Sequence, residues 1–378
     1  MSRGPFTFYE FFAGGGMART GLGAGWSCLF ANDFDPGKAA TYRANFPDAG
    51  AHFHEGDVFG AAPGDLPGRA DLAWASSPCQ DFSLAGGRAG LAGGKSQAFY
   101  GFWRLIEGLA AAGRSPRAIV IENVSGLLTS HGGADFAAVA EALVAQGYRF
   151  GALEIDAAAF LPQSRPRVFI VATREAPSAA LIGDSPWQTK AVKAAAARLP
   201  AQLARHWIGW RLPAPPARNN DLAALLEDDA AVAWHPPERT ARWLELMSPL
   251  HRARLDACRA RGERAVGAIF RRMRIEDGRS VQRAEVRLDG LAGCLRTPRG
   301  GSSRQAIVVV AEGQVRTRLL TPREAARLMG LPESYRLPGS ASAALQVAGD
   351  GVAVPVVRWL ADRLLEPLLS PAAVIAAE

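Results

Sequence analysis

The chain has 378 residues, of which 48% are hydrophobic and 21% are charged, and its net charge is +7. A chain of this length and composition should fold into about two globular domains. It contains no apolar run of the ~18 to 20 residues that cross a bilayer, and its first residues lack the pattern of a secretory signal. We therefore expect a cytoplasmic protein rather than a membrane or secreted one.

Short apolar runs alternate with longer amphipathic segments from Phe6 to Val171, which is the pattern of βαβ units. The sequence predicts a fold of the α/β class, with a mostly parallel sheet covered by helices on both faces. The predicted strands are 6–13, 27–32, 72–75, 118–122, 148–155 and 167–172, and helices are predicted at 99–112 and 134–146.

This pattern ends after Thr173, where proline and tryptophan become frequent. From Arg239 to Arg316 there are 17 basic residues, all arginine, and 8 acidic residues. The excess could be an ordinary solvated surface, but we interpret it as a surface that binds a polyanion. A helix signal with a proline at its first position returns at Thr321, and a final apolar helix is predicted at 354–369. The predicted domains are therefore 1–175 plus 318–378, and 176–317.

The first predicted strand leads into a glycine-rich turn, Phe12-Ala13-Gly14-Gly15-Gly16, and Asp33 closes the second strand 19 positions after Gly14. Glycines allow a backbone to turn tightly and approach a ligand, and an acid at this spacing can accept the hydroxyls of a ribose. The pattern indicates a nucleoside site. It does not distinguish a nicotinamide dinucleotide from S-adenosylmethionine.

Cys79 follows the predicted strand 72–75 in the segment Ser76-Ser77-Pro78-Cys79-Gln80. Strand ends in an open α/β sheet face the ligand crevice, so this thiol is a candidate nucleophile. The three other cysteines, Cys28, Cys258 and Cys294, are expected to be packed hydrophobic residues. None of the four forms a C-x-x-C pair, and neither a disulfide scaffold nor a metal site is expected.

Two further polar segments accompany strands. Glu122 ends the strand 118–122, where a partly desolvated carboxyl group could donate a proton to a ring nitrogen, although a structural glutamate is the alternative. Gln163, Arg165 and Arg167 alternate along the chain before another strand and are expected to point the same way. A thiolate, a carboxyl group and two arginines beside a nucleoside-cofactor loop suit methylation of carbon 5 of a cytosine, because addition of the thiolate at carbon 6 makes carbon 5 nucleophilic.

In this order, the motifs resemble those of the DNA cytosine-5 methyltransferase family. The resemblance implies a Rossmann-like sheet that binds S-adenosylmethionine and a smaller target-recognition domain at 176–317. It also implies that Cys79 attacks the base and that Glu122, Arg165 and Arg167 assist. The cofactor contacts implied are Phe12 on the adenine, Gly14 and Gly16 in the turn, Asp33 on the ribose, Asp57 on the adenine amino group, and Pro78 and Asp350. The DNA contacts implied are Gln80, Ser83, Arg296, Arg299, Ser302, Ser303 and Arg304.

The sequence departs from the family pattern at three positions. Met17 replaces a glycine of the turn, Glu10 stands for the commoner aspartate before it, and Asp350 replaces an asparagine.

From the resemblance we predict an enzyme that flips a cytosine out of duplex DNA and methylates it, as in restriction-modification systems. We expect it to be monomeric, nucleoid-associated and from a prokaryote or phage. Three rival hypotheses are a transfer RNA methyltransferase, whose Cys-Phe-Thr signature this sequence lacks, a DNA-binding homologue without turnover, and a nicotinamide-dependent oxidoreductase.

Overall fold

A computed structural model describes residues 5–77, 97–296 and 304–370, without the side chain of Gln97. The chain divides into two compact units. Of the described residues, the first unit contains those up to 156, 166–216 and those from 352 to 370, and the second contains 157–165 and those between 217 and 351. No helix in the described ranges is long and apolar enough to cross a membrane.

The first unit is built around a seven-stranded sheet. Its strands are β1 (Phe6–Phe11), β2 (Trp26–Asp33), β3 (Phe53–Glu55), β4 (Leu72–Ala75), β5 (Ala118–Asn123), β6 (Arg149–Asp156) and β7 (Pro166–Thr173). They lie in the order β3-β2-β1-β4-β5-β7-β6. The first five run parallel, whereas β7 is antiparallel to both β5 and β6. The order reverses between β1 and β4, and ligands of such sheets bind outside the carboxyl ends of the strands at that point.

Helices cover this sheet because apolar side chains recur on one side of each helix. The helices are α1 (Met17–Leu22), α2 (Pro36–Asn45), α3 (Gln97–Ala111), α4 (Ala134–Ala145), α5 (Lys190–Ala197), α6 (Ala201–Ala204), α11 (Val354–Leu360) and α12 (Glu366–Leu369), with a π-helical turn at Ala361–Leu365. Phe102 and Ile106 of α3 and Phe136 of α4 belong to one core cluster with Phe11 of β1. Elsewhere in the unit, α1 and α11 pack so closely that a Cβ atom at Gly21 would lie 2.5 Å from Cβ of Val357.

Within the described residues, the second unit contains an antiparallel sheet and four α-helices. Its elements are α7 (Pro237–Glu245), α8 (Pro249–Arg261), β8 (Ala265–Glu276), β9 (Arg279–Arg287), β10 (Ala306–Ala311), β11 (Gln314–Leu319), α9 (Pro322–Leu328) and α10 (Ala341–Asp350). The strands lie in the order β11-β10-β8-β9. Trp243 of α7 and Leu255 of α8 pack with Ile269 and Val308 of the sheet.

A buried ion pair connects β11 to α9. The hydroxyl of Thr321 accepts a hydrogen bond from the Glu324 N–H, and the Glu324 carboxylate accepts one from the Thr321 N–H, so the predicted helix start is confirmed as a capping box. The same carboxylate accepts hydrogen bonds from both terminal nitrogens of Arg318, at 2.8 and 2.6 Å. Both side chains are fully enclosed, and pairing is what makes two buried charges tolerable.

The compact units differ from the predicted segments at both boundaries, 216 instead of 175 and 351 instead of 317. Residues after 175 stay with the first unit because Trp207 bridges to Phe150 and the Trp210 indole donates to the carbonyl of Val171. Residues after 317 stay with the second unit because Arg318 lies in β11 and holds α9. The assignment of the second unit to target recognition stays a prediction.

Candidate active site

The turn after β1 has the backbone conformation that its glycines permit. Phe12, Gly14 and Gly16 have φ angles of 58°, 55° and 79°, in the left-handed region. A Cβ atom at Gly16 would lie 2.2 Å from the ring of Phe46, whereas one at Gly14 would meet no described atom within 4 Å. Gly16 is therefore required for packing, and the open space beside Gly14 leaves room for a ligand to approach the backbone.

Asp33 joins this turn to the end of β2. Its Oδ2 accepts a hydrogen bond of 2.8 Å from the Gly14 N–H, and its Oδ1 accepts one of 3.0 Å from the Asp35 N–H. Burial raises the pKa of Asp33, an effect that Lys38 and the two N–H groups partly offset. A carboxylate oxygen has more than one acceptor site, so this anchored group can still accept from a ribose hydroxyl.

Phe34 is a candidate site residue that the sequence reasoning missed. Phe34 directly follows Asp33 and is 66% exposed, whereas Phe12 is half-buried and packs against the core of the first unit. The sequence does show an aromatic residue directly after the acid that ends β2, and an exposed ring at that position can stack on a base.

Asp57, the residue expected at the adenine amino group, is exposed. Its Oδ1 accepts a hydrogen bond of 2.9 Å from the N–H of Phe59.

Two departures from the family pattern, Glu10 and Met17, flank this turn in the sequence. Met17 begins α1 and is buried. Glu10 is 1% exposed, and its Oε1 accepts a hydrogen bond of 3.4 Å from the Arg19 N–H in α1. Among the described residues its Oε2 has no hydrogen-bond partner. Burial raises the pKa of Glu10 to about 8, although Arg19 opposes the effect.

We expect the substitution Glu10→Gln to stabilise the protein at pH 8 and to have little effect at pH 5. An ordinary glutamate releases its proton near pH 4.5 when unfolded, but Glu10 keeps its proton in the folded protein up to a pKa of about 8. Between pH 4.5 and about pH 8 the folded protein therefore binds one more proton than the unfolded protein. The free energy of unfolding consequently falls by a few kcal/mol as the pH rises through this range. Denaturant unfolding of both proteins at the two pH values measures the difference. An equal effect at both pH values would contradict a protonated Glu10.

Glu122 and Arg167 form an ion pair in the first unit. Arg167 Nε, on β7, lies 3.2 Å from Glu122 Oε1, at the carboxyl end of β5, and both side chains are mostly buried. The next residue, Asn123, donates a hydrogen bond of 3.0 Å to the carbonyl of Ser77. The end of β5 is thereby tied to Ser77, which lies two residues after the end of β4 and two residues before Cys79. The predicted site residues Pro78, Cys79, Gln80 and Ser83 lie outside the described residues.

Gln163 and Arg165 belong to the second unit. Arg165 is 2% exposed and donates to the carbonyls of Leu295, Gly349 and Gly351, at 3.0, 2.9 and 2.7 Å. Arg167, in contrast, lies in β7, which begins at Pro166, and pairs with Glu122 in the first unit. That the three side chains point the same way stays a prediction. This environment suits a structural role for Arg165.

The remaining predicted residues are in the second unit or outside the described ranges. Asp350 is the exposed last residue of α10. Arg296 is exposed and Arg304 is half-buried, and Arg299, Ser302 and Ser303 lie outside the described residues.

The three cysteines of the described residues are packed to different degrees. Cys258 is buried in the core of the second unit, and Cys28 and Cys294 are half-buried. In the described part of the chain, no group of three or more His, Cys, Asp or Glu residues could hold a metal ion.

Comparison with known proteins gives consistent matches over most of the chain. The family model for C-5 cytosine-specific DNA methylase matches residues 6–366. Type II methyltransferase M.DsaV of Dactylococcopsis salina is 28% identical over 367 residues, which cover 97% of this chain and 87% of that protein. Type II methyltransferase M.NlaX of Neisseria lactamica is 25% identical over 363 residues, which cover 95% and 96%. The crystal structure of S. pombe Dnmt2 methyltransferase shares the fold, with a TM-score of 0.62 at 18% identity and coverage of 96% of this chain and 99% of that one.

Proposed function

The chain belongs to the C-5 cytosine-specific DNA methylase family, and from this we propose that it methylates carbon 5 of a cytosine flipped out of duplex DNA, through a covalent adduct with Cys79. The observation that carries the proposal is the arrangement at the end of β5. Arg167 orients the Glu122 carboxyl group, and Asn123 holds Ser77, from which the chain continues to Cys79. This arrangement suits a carboxyl group and a thiol that act on one base.

Each group has a distinct task in this mechanism. A ring carbon is inaccessible within stacked DNA, so the cytosine must leave the helix. The Cys79 thiolate forms a bond to carbon 6, and a proton held by Glu122 at ring nitrogen 3 stabilises the negative charge that develops on the ring. Carbon 5 then carries the electron pair that would form a bond to the methyl group of S-adenosylmethionine, and S-adenosylhomocysteine would leave with the electrons of the broken carbon–sulfur bond. Loss of the proton from carbon 5 and cleavage of the carbon–sulfur bond restore the aromatic ring and the thiolate.

The turn after β1 fits S-adenosylmethionine, which supplies an electrophilic methyl group when bound. The open space at Gly14 admits the cofactor, and the anchored Asp33 carboxylate can accept from its ribose. We assign adenine stacking to Phe34 as well as to Phe12, because Phe34 has the more exposed ring. Asp57 would accept from the adenine amino group, and Pro78 and Asp350 are further proposed contacts.

Replacing Phe34 with alanine should weaken S-adenosylmethionine binding about tenfold. Stacking of a base on an aromatic ring contributes about 1 to 3 kcal/mol, of which other contacts can recover part. Titration calorimetry with the cofactor and without DNA measures the loss. Tyr100→Ala, which removes another exposed ring, is the control. If Phe34→Ala binds S-adenosylmethionine as tightly as the wild type does, Phe34 does not contact the cofactor.

The second unit would bind the DNA. Its arginine excess suits phosphate contacts, which supply most of the non-specific affinity of DNA-binding proteins. Arg296 and Arg304 are the proposed DNA contacts within the described residues, and Gln80, Ser83, Arg299, Ser302 and Ser303 are those outside them. We propose that one copy of the chain suffices for activity.

The decisive experiment compares incorporation of tritiated methyl groups into duplex DNA and into transfer RNA. We expect incorporation into DNA, and bisulfite sequencing of the product should locate 5-methylcytosine at one short sequence. Methylation of transfer RNA alone would establish the rival substrate. Duplex DNA that contains 5-fluorocytosine should trap the enzyme covalently. Without trapping or turnover, the protein would be a binding homologue.

A further inference from the structure

The backbone of Gly293 and Leu295 is held by side chains. The Gln305 amide accepts a hydrogen bond of 2.9 Å from the Gly293 N–H and donates one of 2.7 Å to the Gly293 carbonyl. Two residues later, Gln163 Oε1 accepts one of 3.0 Å from the Leu295 N–H, and Arg165 Nη1 donates one of 3.0 Å to the Leu295 carbonyl. Three side chains thus supply the four hydrogen bonds that a paired strand would give these two residues.

These three side chains, Gln163, Arg165 and Gln305, form what we call the backbone clamp, and two of them are themselves anchored. Gln163 also donates to the carbonyl of Leu328, at the end of α9, with a distance of 2.6 Å. Arg165 also donates to the carbonyls of Gly349 and Gly351, at the end of α10. Each anchor is a helix C-terminus, where carbonyl groups lack partners within the helix. The clamp therefore fixes Leu295 relative to two helices of the second unit.

Gly293 is adapted to its place in the clamp. A Cβ atom at this position would lie 3.3 Å from Gln305 Oε1 and 3.5 Å from the ring of Phe270. The first distance is shorter than an ordinary van der Waals contact, so a side chain here would require the Gln305 amide to shift by a few tenths of an ångström. Glycine lets Gln305 approach closely enough to bind both backbone groups.

The clamp lies next to the two described arginines that are proposed to contact DNA. Arg296 directly follows Leu295, and Arg304 directly precedes Gln305. We propose that Gln163, Arg165 and Gln305 are positioning residues that fix the backbone from which Arg296 and Arg304 reach DNA. This inference rests on the proposed function. A preordered backbone loses less conformational entropy on binding, so the clamp strengthens DNA binding without touching the base or the cofactor.

The variant Gln305→Met tests the clamp because methionine keeps the length of the side chain and removes both amide hydrogen bonds. We expect the KM for duplex DNA to rise about tenfold, since each lost hydrogen bond weakens the preorganised state modestly. The kcat and the affinity for S-adenosylmethionine should stay within about twofold of the wild type. Gln314→Met, at an exposed glutamine of β11, is the matched control and should leave all three unchanged.

Hydrogen exchange supplies a measurement that needs no substrate. In the free protein, the Gly293 amide should exchange about tenfold faster in Gln305→Met than in the wild type, because its acceptor is lost. Gly293→Ala should raise the KM for DNA in the same way, and it replaces Gln305→Met if that variant does not fold. The two substitutions together should add little to either alone.

An unchanged KM for DNA in a folded Gln305→Met protein would overturn the proposal. Equal losses in kcat, cofactor affinity and DNA binding would also overturn it, because they would indicate general destabilisation. The proposed function can fail separately. If the wild type methylates transfer RNA and not DNA, the KM is measured with that RNA, and exchange at Gly293 still decides whether the clamp holds the backbone.

Discussion

Replacing Cys79 with alanine should abolish methyl transfer to duplex DNA and leave the binding of DNA and S-adenosylmethionine intact. Carbon 5 of cytosine is a poor nucleophile until a thiolate adds to carbon 6, so no other group of the enzyme can substitute for this sulfur. We expect kcat to fall by about 10⁴-fold or more, as when other enzymes lose their nucleophile. Single-turnover incorporation of tritiated methyl groups measures the loss, and electrophoretic mobility and calorimetry check the two binding steps.

The substitution Cys258→Ala is the control for this experiment. Cys258 is buried in the core of the second unit, so alanine should lower thermal stability slightly and leave kcat unchanged. Trapping on 5-fluorocytosine DNA adds a second readout, because the wild type should form a covalent complex and Cys79→Ala should not. Methyl transfer by Cys79→Ala at the wild-type rate would refute the covalent mechanism.

Six of the seven strands of the first unit, and its helices α3, α4 and α11, could be predicted because each gives a signal within a short stretch of sequence. Each predicted strand is present within two residues of its expected bounds, from β1 (Phe6–Phe11) to β7 (Pro166–Thr173). In contrast, β3 was not predicted, because its three residues are too few to show an alternation of apolar and polar side chains. The long strand β8 was not predicted because arginines occupy both faces of its outer half, as in Arg271-Arg272-Met273-Arg274, and the apolar alternation is lost.

The site was predictable where its contacts follow from strand ends. Gly14 and Asp33 are 19 residues apart, and their hydrogen bond joins two neighbouring parallel strands, as the βαβ pattern implies. The role of Arg165 was not predictable, because its acceptors at Leu295 and Gly349 are 130 and 184 residues away. A motif shows which residue types occur together, but not which distant carbonyl groups each of them meets.

Glu122→Gln should lower kcat by about 10² to 10⁴-fold with little change in the KM for DNA. Glutamine keeps the shape of the side chain but cannot hold the acidic proton at ring nitrogen 3, and a positioned general acid contributes a factor of this size. Steady-state methyl transfer measures both constants. Glu107→Gln, at an exposed position of α3, is the matched control in the same unit.

The variant Arg167→Met tests whether Arg167 contributes to turnover only by orienting the Glu122 carboxyl group. Arg167 lies 3.2 Å from Glu122. If it acts only by holding this carboxyl group, the double variant Glu122→Gln/Arg167→Met should have the same kcat as Glu122→Gln alone. Additive losses would instead give Arg167 its own contact with the base. A kcat within twofold of the wild type for Glu122→Gln would contradict the acid role, since an ion pair that only stabilises the sheet affects unfolding rather than turnover.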